Sequence, residues 1–304
     1  MNTILVSGGT GTVGRPLVDA LGKEAVRVRL VGRRAPAWSL PPNASFTQGD
    51  FNDLDSVQHA LEGSSAIFVH PRAVKLAAAG FLSDAARHGV RRVVSYSAIN
   101  VEDDPADQPS RFQGDRNKEV EEAVVASGLE WTVLRPSFFM SNLVPMWGPQ
   151  LAHGNVVRGA FGAAREAPID PRDLAESAAR LLVAGTHVGQ RIEVTGPDAL
   201  SYVAMAILVG RALGRSVRFE EVAAGTMRGQ MIAAGLPAPF VDSLIARSAR
   251  MTSAPPTVSP ELTLILGRPG RRFAEWARDN RNAFRPTPAE QRLIRSPRAL
   301  PAVL

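Results

Sequence analysis

Gly8, Gly11 and Gly14 recur at every third position directly after a short apolar run, Asn2-Thr3-Ile4-Leu5-Val6-Ser7. Spacing of this kind does its chemistry with the backbone. Gly8 permits a tight reversal, Gly11 leaves room for a pyrophosphate to approach the main chain, and Gly14 lets a following helix pack closely. Thr10, Thr12 and Val13 complete the turn and share the phosphate site. Arg15-Pro16-Leu17-Val18-Asp19-Ala20-Leu21 then reads as a helix with Leu17, Val18 and Leu21 on one face. Its N-terminus offers unpaired N–H groups and a positive dipole end to an anion. Strand, glycine turn and helix, in that order, form the context in which such a turn binds a dinucleotide.

A second chemical signal lies one strand later. Val26-Arg27-Val28-Arg29-Leu30-Val31 alternates as a strand should and ends at Gly32-Arg33-Arg34. An acidic residue here would hold ribose hydroxyls. Arginine suits a ribose 2′-phosphate, which makes the expected cofactor NADPH. Arg33 and Arg34 are otherwise plain solvated turn residues.

The elements that position these residues alternate. Ser45–Gly49 is a third strand, followed by Asp50, Phe51 and a helix capped by Asp53 and running through Leu61. Ser65–Val69 is a fourth strand ending at His70 and Pro71, and a helix over Val74–His88 follows. Arg92–Ser97, Glu130–Leu134 and Gln190–Thr195 are further strands, with helices at Asp115–Ser127 and from Ile169 to Ala184. Alternation at this spacing implies a parallel sheet wound on both faces, with ligands beyond the strand C-termini. That edge collects Gly8, Arg33, Asp50, His70 and Ser97. Ala35–Pro42 and Asn100–Pro109 read as loops, and Val144–Gly162 as an excursion over the site. From Leu200 the texture turns mainly helical, with helices over Tyr202–Leu213, Thr226–Ala234 and Pro237–Arg250.

Several segments together resemble one family. They are the G-x-x-G-x-x-G turn, Arg135-Pro136-Ser137-Phe138-Phe139-Met140-Ser141-Asn142 against an R-P-x-x-F-M-x-N signature, and Ile169-Asp170-Pro171-Arg172-Asp173-Leu174-Ala175. Gly196 to Tyr202 and Gly267-Arg268-Pro269 before Phe273–Trp276 add to it. The chain resembles the NmrA-like, atypical branch of the short-chain dehydrogenase/reductases from residue 1 to about 285. The resemblance implies an α/β fold, a doubly wound parallel Rossmann sheet with a smaller, mainly helical C-terminal cap. The dinucleotide-binding domain would take 1–155 and 170–196, the cap 156–169 and 197–285, and the tail 286–304. It also implies that Asp50 and Phe51 lie against the adenine and Pro136 near the nicotinamide. His70 and Pro71 join the cofactor residues by their place on the sheet edge.

The catalytic signal is thinner. Related reductases use Tyr-x-x-x-Lys, the tyrosine giving a proton as hydride arrives. Here the tyrosines are Tyr96 and Tyr202, and neither has a lysine four residues on. The matching segment, Phe112 to Glu121, has Gly114 four before Lys118. Aligning Glu121 with the family's helix glutamate puts Asn117 in the usual basic slot and Lys118 one residue off, about 100° around a helix. Lys118, Asn117 and Ser97 are therefore the catalytic candidates. Phe138, Met140, Met146 and Trp147 line a substrate pocket or belong to a core.

Composition bounds the rest. The chain has 304 residues, 45% hydrophobic and 21% charged, with a formal charge of +6 and no cysteine. That excludes disulfides, a thiolate nucleophile and cysteine-held metal. The histidines show no metal-ligand spacing, and no G-x-S-x-G elbow marks a serine hydrolase. The arginines are scattered without aromatic interleaving, so no nucleic-acid partner is expected. No apolar run has the length of a membrane span, and a cytoplasmic, monomeric or homodimeric protein with a small-molecule substrate is expected. Three functions remain open. One is an NADPH-dependent reductase of a small apolar carbonyl, enone or similar acceptor. The others are a non-catalytic NADP(H) sensor and a non-redox cyclase or isomerase.

Overall fold

Strands written as near-continuous apolar runs have to be covered on both faces, and the chain supplies helices in the right order to do so. The computed structural model describes residues 2–254 and 256–285. The chain begins with β1 (Thr3–Ser7), α1 (Gly14–Leu21), β2 (Arg27–Gly32), β3 (Ala44–Gln48), α2 (Gln58–Leu61) and β4 (Ser64–Val69). Next come α3 (Pro71–Val74), α4 (Ala78–Arg87), β5 (Arg92–Tyr96), α5 (Asn117–Val125) and β6 (Glu130–Pro136). α6 (Leu143–Ala152), β7 (Val156–Gly159), β8 (Arg165–Glu166), α7 (Pro171–Ala184) and β9 (Gln190–Val194) follow. The last are β10 (Leu200–Ser201), α8 (Tyr202–Leu213), β11 (Arg218–Glu221), α9 (Ala224–Ala233), α10 (Ala238–Ser253), α11 (Glu261–Leu266) and α12 (Phe273–Asp279).

Two compact units divide these elements. Among the described residues the first holds 2–137, 171–195 and 259–270. Its seven strands run parallel in the order β3-β2-β1-β4-β5-β6-β9, the expected doubly wound Rossmann sheet. Alternate residues face opposite ways. Leu5, Val31, Ile67, Val93 and Val133 form one core with Phe81, Leu82, Val120 and Val124 of α4 and α5. α1 and α7 pack together, and α11 packs on α7 and β9. Strands β2 and β3 are added on one side of β1 and β4, β5, β6 and β9 on the other, so the strand order reverses between β1 and β4, and that switch point is where such sheets open a crevice for ligands.

Among the described residues the second unit holds 138–170, 196–254, 256–258 and 271–285, so Phe138–Asn155 falls outside the first unit and 259–270 returns to it, both unlike the division read from sequence. The expected tail, 286–304, lies outside the described residues. The core of this unit gathers Met140, Leu143, Trp147 and Leu151 with Tyr202, Met205, Phe273, Trp276 and Phe284. The Gly- and Pro-rich stretch read as an excursion contains helix α6, because Leu143, Trp147 and Leu151 recur every fourth residue and are buried. Burial of that stripe outweighs Pro149 inside the helix. Glu166 and Arg247 form a buried bidentate pair at 2.5 and 2.8 Å, with the Tyr202 hydroxyl donating to Glu166 at 3.4 Å. α9 buries no residue.

Two helix boundaries also differ. Asp53 makes no side-chain cap, and a 3-10 turn over Leu54–Val57 precedes the short α2. The helix expected from Val74 is broken at Lys75, whose φ of 48° leaves the right-handed region.

Gly14 is the tightest point between β1 and α1. A methyl group there would lie 2.1 Å from the Gly8 carbonyl oxygen, a backbone atom with little room to move. Gly14→Ala should therefore cost about 1–3 kcal/mol. Urea unfolding followed by circular dichroism measures this; an unchanged midpoint would show that the turn yields freely.

Candidate cofactor and active site

Ser7 ends β1 with a buried hydroxyl that ties the two strands of the switch point together. It donates to the Phe68 carbonyl at 3.0 Å and accepts the His70 N–H at 2.8 Å. The chain then turns at Gly8, with φ of 65°, and closes with Gly11 N–H donating to Gly8 O at 3.0 Å. A side chain at Gly8 would strike the His70 ring at 2.6 Å. At Gly9 it would strike Leu30 of β2 at 1.8 Å. At Gly11 the surroundings are looser: the nearest atoms to an added methyl are Gly8 O at 3.3 Å and His70 Nε2 at 3.6 Å. The turn is thus pressed onto β2 and His70 at its first two glycines and less crowded at the third. That is the cradle a pyrophosphate fits, beside the N-terminus of α1. Thr10 and Thr12 are exposed on it and Val13 is buried.

His70 leaves β4 where the crevice opens. Its Nδ1 accepts the Arg72 N–H at 3.2 Å, which leaves the proton of a neutral ring on Nε2. Nε2 meets the Tyr96 hydroxyl at 2.9 Å. Burial, then the Arg72 cation, push His70 down to about 4, so the ring is neutral near pH 7. Burial raises Tyr96 well above its usual value. Arg72 is fixed by a bidentate pair with Asp115 at 2.6 and 2.9 Å. Pro71 is buried at the start of α3.

The segment read for catalysis is organised around Glu121. This buried carboxylate accepts from Ser97 Oγ at 2.5 Å, Arg135 Nη2 at 2.5 Å and Arg191 Nε at 2.7 Å. Burial opposes its charge, and the bonds from Arg135, Ser97 and Arg191 more than offset that, holding Glu121 below the usual carboxylate range. The Ser97 proton is thereby committed to Glu121. Lys118 stands in the first turn of α5 with Nζ 3.7 Å from Glu102, a carboxylate that also pairs with Arg135 at 2.6 Å. Asn117 reaches Ser110 Oγ at 3.5 Å. Spacing in sequence gave no sign of this shared ion network.

Other expected site residues are placed variously. Arg33 and Arg34 are exposed just past β2. Asp50 Oδ1 accepts from the backbone and side chain of Asn52 at 3.0 and 2.8 Å. Phe51, expected against an adenine, has its ring in the core, edge-on to Phe81 at 5.0 Å, because the turn that follows β3 carries it inward. Pro136 is buried at the end of β6 beside Val194. Of the four expected substrate residues, Met140 and Trp147 are core, 0% and 3% exposed. Phe138 packs edge-on to Tyr202 at 6.4 Å, and Met146 is 39% exposed. Tyr96 was legible only as a failed motif, since 26 residues separate it from His70.

Two outcomes are expected. Gly11→Val should abolish binding of NADPH and NADH in calorimetry, because the new side chain fills the one open position of the turn; retained affinity would move the cofactor elsewhere. Because His70 is lowered in the fold, unfolded chain binds more protons between pH 6.5 and about 4, and stability falls as pH drops through that window. His70→Gln should lose less stability than wild type between pH 7 and 4.5 in urea titrations. Parallel losses would mean that His70 does not titrate on unfolding.

Residues 8–182 match the model of a family described as NAD(P)H-binding. A reductase of (4-alkanoyl-5-oxo-2,5-dihydrofuran-3-yl)methyl phosphate from Streptomyces griseus is 34% identical, covering 93% of this chain and 99% of the relative. An NAD(P)H azoreductase from Xenophilus azovorans is 31% identical, covering 92% and 99%. The structure of an NADPH-dependent quinone oxidoreductase of Escherichia coli, complexed with NADPH, superposes with a TM-score of 0.74 at 21% identity over 90% of this chain and 98% of that one. With the glycine turn at the β1–β4 switch point and a match over more than half its length, this chain belongs to the NAD(P)H-binding family, and its fold is similar to that of an NmrA structure, at a TM-score of 0.72 and 18% identity over 93% of this chain and 96% of that one.

Proposed function

We propose that this NAD(P)H oxidoreductase is an NADPH-dependent reductase of a small apolar carbonyl, enone or similar acceptor. The observation that carries the reading is the phosphate cradle at Gly8–Gly14 with cationic Arg33 and Arg34 at the end of the neighbouring strand. The two reductases more than 30% identical to the chain support the reaction class. Gly11 and the N-terminus of α1 would hold the pyrophosphate, Arg33 with Arg34 the 2′-phosphate, Asp50 the adenosine end, and Pro136 the nicotinamide end. Bound NADPH would supply the hydride.

The chain's own contribution is placement. His70 is neutral, fixed in one tautomer and pressed against the turn, so it keeps the cradle's shape. Glu121 holds the Ser97 proton and locks Arg135 to Arg191, which stiffens the ends of β5, β6 and β9. Lys118, half-exposed on a weak ion pair, is the side chain of this segment best able to deliver a proton. Asn117 is the second candidate, and solvent the third.

Purified protein should oxidise NADPH in the presence of some member of a carbonyl, enone and quinone panel. Arg33→Ala should weaken NADPH binding about tenfold to a hundredfold and leave NADH binding unchanged, the worth of one or two charge-assisted hydrogen bonds. Lys118→Ala should lower turnover about 10²-fold with NADPH affinity unchanged if Lys118 delivers the proton; an unaltered rate leaves Asn117 or solvent. No reduction of any compound, together with partner binding that follows NADP(H) redox state, replaces this reading by a sensor. Conversion of a compound without NADPH consumption replaces it by a cyclase or isomerase.

A further inference from the structure

Arg15 has no counterpart among the residues that the glycine motif assigns to a task. It is the second residue of α1, exposed, and its backbone N–H donates to Gly11 O at 3.0 Å. Its guanidinium carbon lies over the indole of Trp38, 5.0 Å from the ring centroid. Trp38 belongs to the proline-rich loop that follows Arg33 and Arg34. Its indole N–H is buried and has no hydrogen-bond partner among the described residues.

This loop is packed along α1. At the far end of the helix, a side chain at Gly22 would meet Pro41 at 2.7 Å. At the near end, Ser7 pairs with Val31 and Leu30 fills the space over Gly9, so the residues just past β2 emerge beside the glycine turn. Arg15, Arg33 and Arg34 therefore stand at the same end of the β1–α1–β2 unit. All three are exposed, and none makes an ion pair among the described residues. Asp19, one turn along α1 from Arg15, is exposed and makes no ion pair among the described residues. Elsewhere in this chain arginines are routinely paired, as Arg72, Arg135, Arg228 and Arg272 are. Unpaired guanidiniums gathered at one strand end, one of them stacked on an aromatic ring, form a site for a multiply charged anion.

We propose that Arg15, held on the face of Trp38, is a third cation for the ribose 2′-phosphate and a determinant of NADPH over NADH specificity. The proposal rests on the NADPH reading above and deepens it. The stack restricts the guanidinium to one arrangement before the phosphate arrives, so less side-chain freedom is lost on binding. Lysine would keep the charge and lose the planar stack, which makes Arg15→Lys an informative intermediate.

The experiment is calorimetric binding of NADPH and NADH to wild type, Arg15→Gln, Arg15→Lys and Trp38→Leu, with 2′,5′-ADP and 5′-AMP as the shorter probes. Arg15→Gln should weaken NADPH and 2′,5′-ADP about five- to tenfold. NADH and 5′-AMP should be unchanged in the same variant, which also shows that it is folded. Trp38→Leu should weaken NADPH about two- to fivefold, the worth of an exposed cation–π contact, and Arg15→Lys should fall between wild type and Arg15→Gln. A wild type that binds NADPH and NADH equally overturns the NADPH reading and this inference with it. A clear NADPH preference that Arg15→Gln leaves intact overturns this inference alone, as does an equal loss for NADPH and NADH.

Discussion

The cofactor edge depends on one contact between backbones. Gly14 at the start of α1 sits so close to the Gly8 carbonyl that no side chain fits between them. This approach seats the helix directly over the end of β1 and turns its N-terminus, the positive end of its dipole, toward the crevice between β1 and β4. It also forces the turn down onto its neighbours. Gly9 abuts Leu30 and Gly8 abuts His70, so strand β2 and the end of β4 are both registered against the same few atoms. A larger residue at any of these positions would lift the helix and dissolve the cradle that Gly11 leaves open.

Around that contact the chain uses its polar groups in two different ways. At the β1–β4 crevice they are neutral and few. Ser7 bridges the strands, and His70 with Tyr96 forms a buried uncharged pair, because the desolvation that holds His70 unprotonated also keeps Tyr96 from ionising. Across β5, β6 and β9 they are ionic and dense, with Glu121 accepting from Ser97, Arg135 and Arg191. A buried carboxylate is tolerable only when its oxygens are satisfied in this way. Ser97, one of the candidates for proton transfer, is thus absorbed into a structural network. What the site does well is hold and orient, which suits a reaction whose reducing equivalent arrives with the cofactor.

The second unit shows the same trade on a larger scale. Its apolar residues at Met140 and Trp147 serve its own core, while Glu166 and Arg247 anchor α10 through a buried pair. α9 buries none of its residues. The helix carries mixed small and apolar residues without a clear stripe, so packing has little to grip.

The order of strands and helices, the parallel sheet and the glycine turn are all legible in the amino-acid sequence. These follow from local periodicity and from backbone demands that a side chain would violate. It also placed His70, Arg33 and Ser97 on the right edge, because strand ends are set by where apolar runs stop. Only the tertiary structure decided what those residues touch. Ser97 and Glu121 lie 24 residues apart, His70 and Tyr96 26, and Arg191 and Glu121 70. No local pattern encodes a pairing across such separations, since it depends on which strands become neighbours. The fate of Phe51, Met140 and Trp147 was undecided for the same reason. An apolar side chain looks alike in sequence whether it faces a ligand or a core, and burial against Phe81 or against Tyr202 and Trp276 is settled by packing alone. α6 formed in a stretch rich in Gly and Pro because Leu143, Trp147 and Leu151 found a core to enter, and the free energy of that burial lies outside the segment itself.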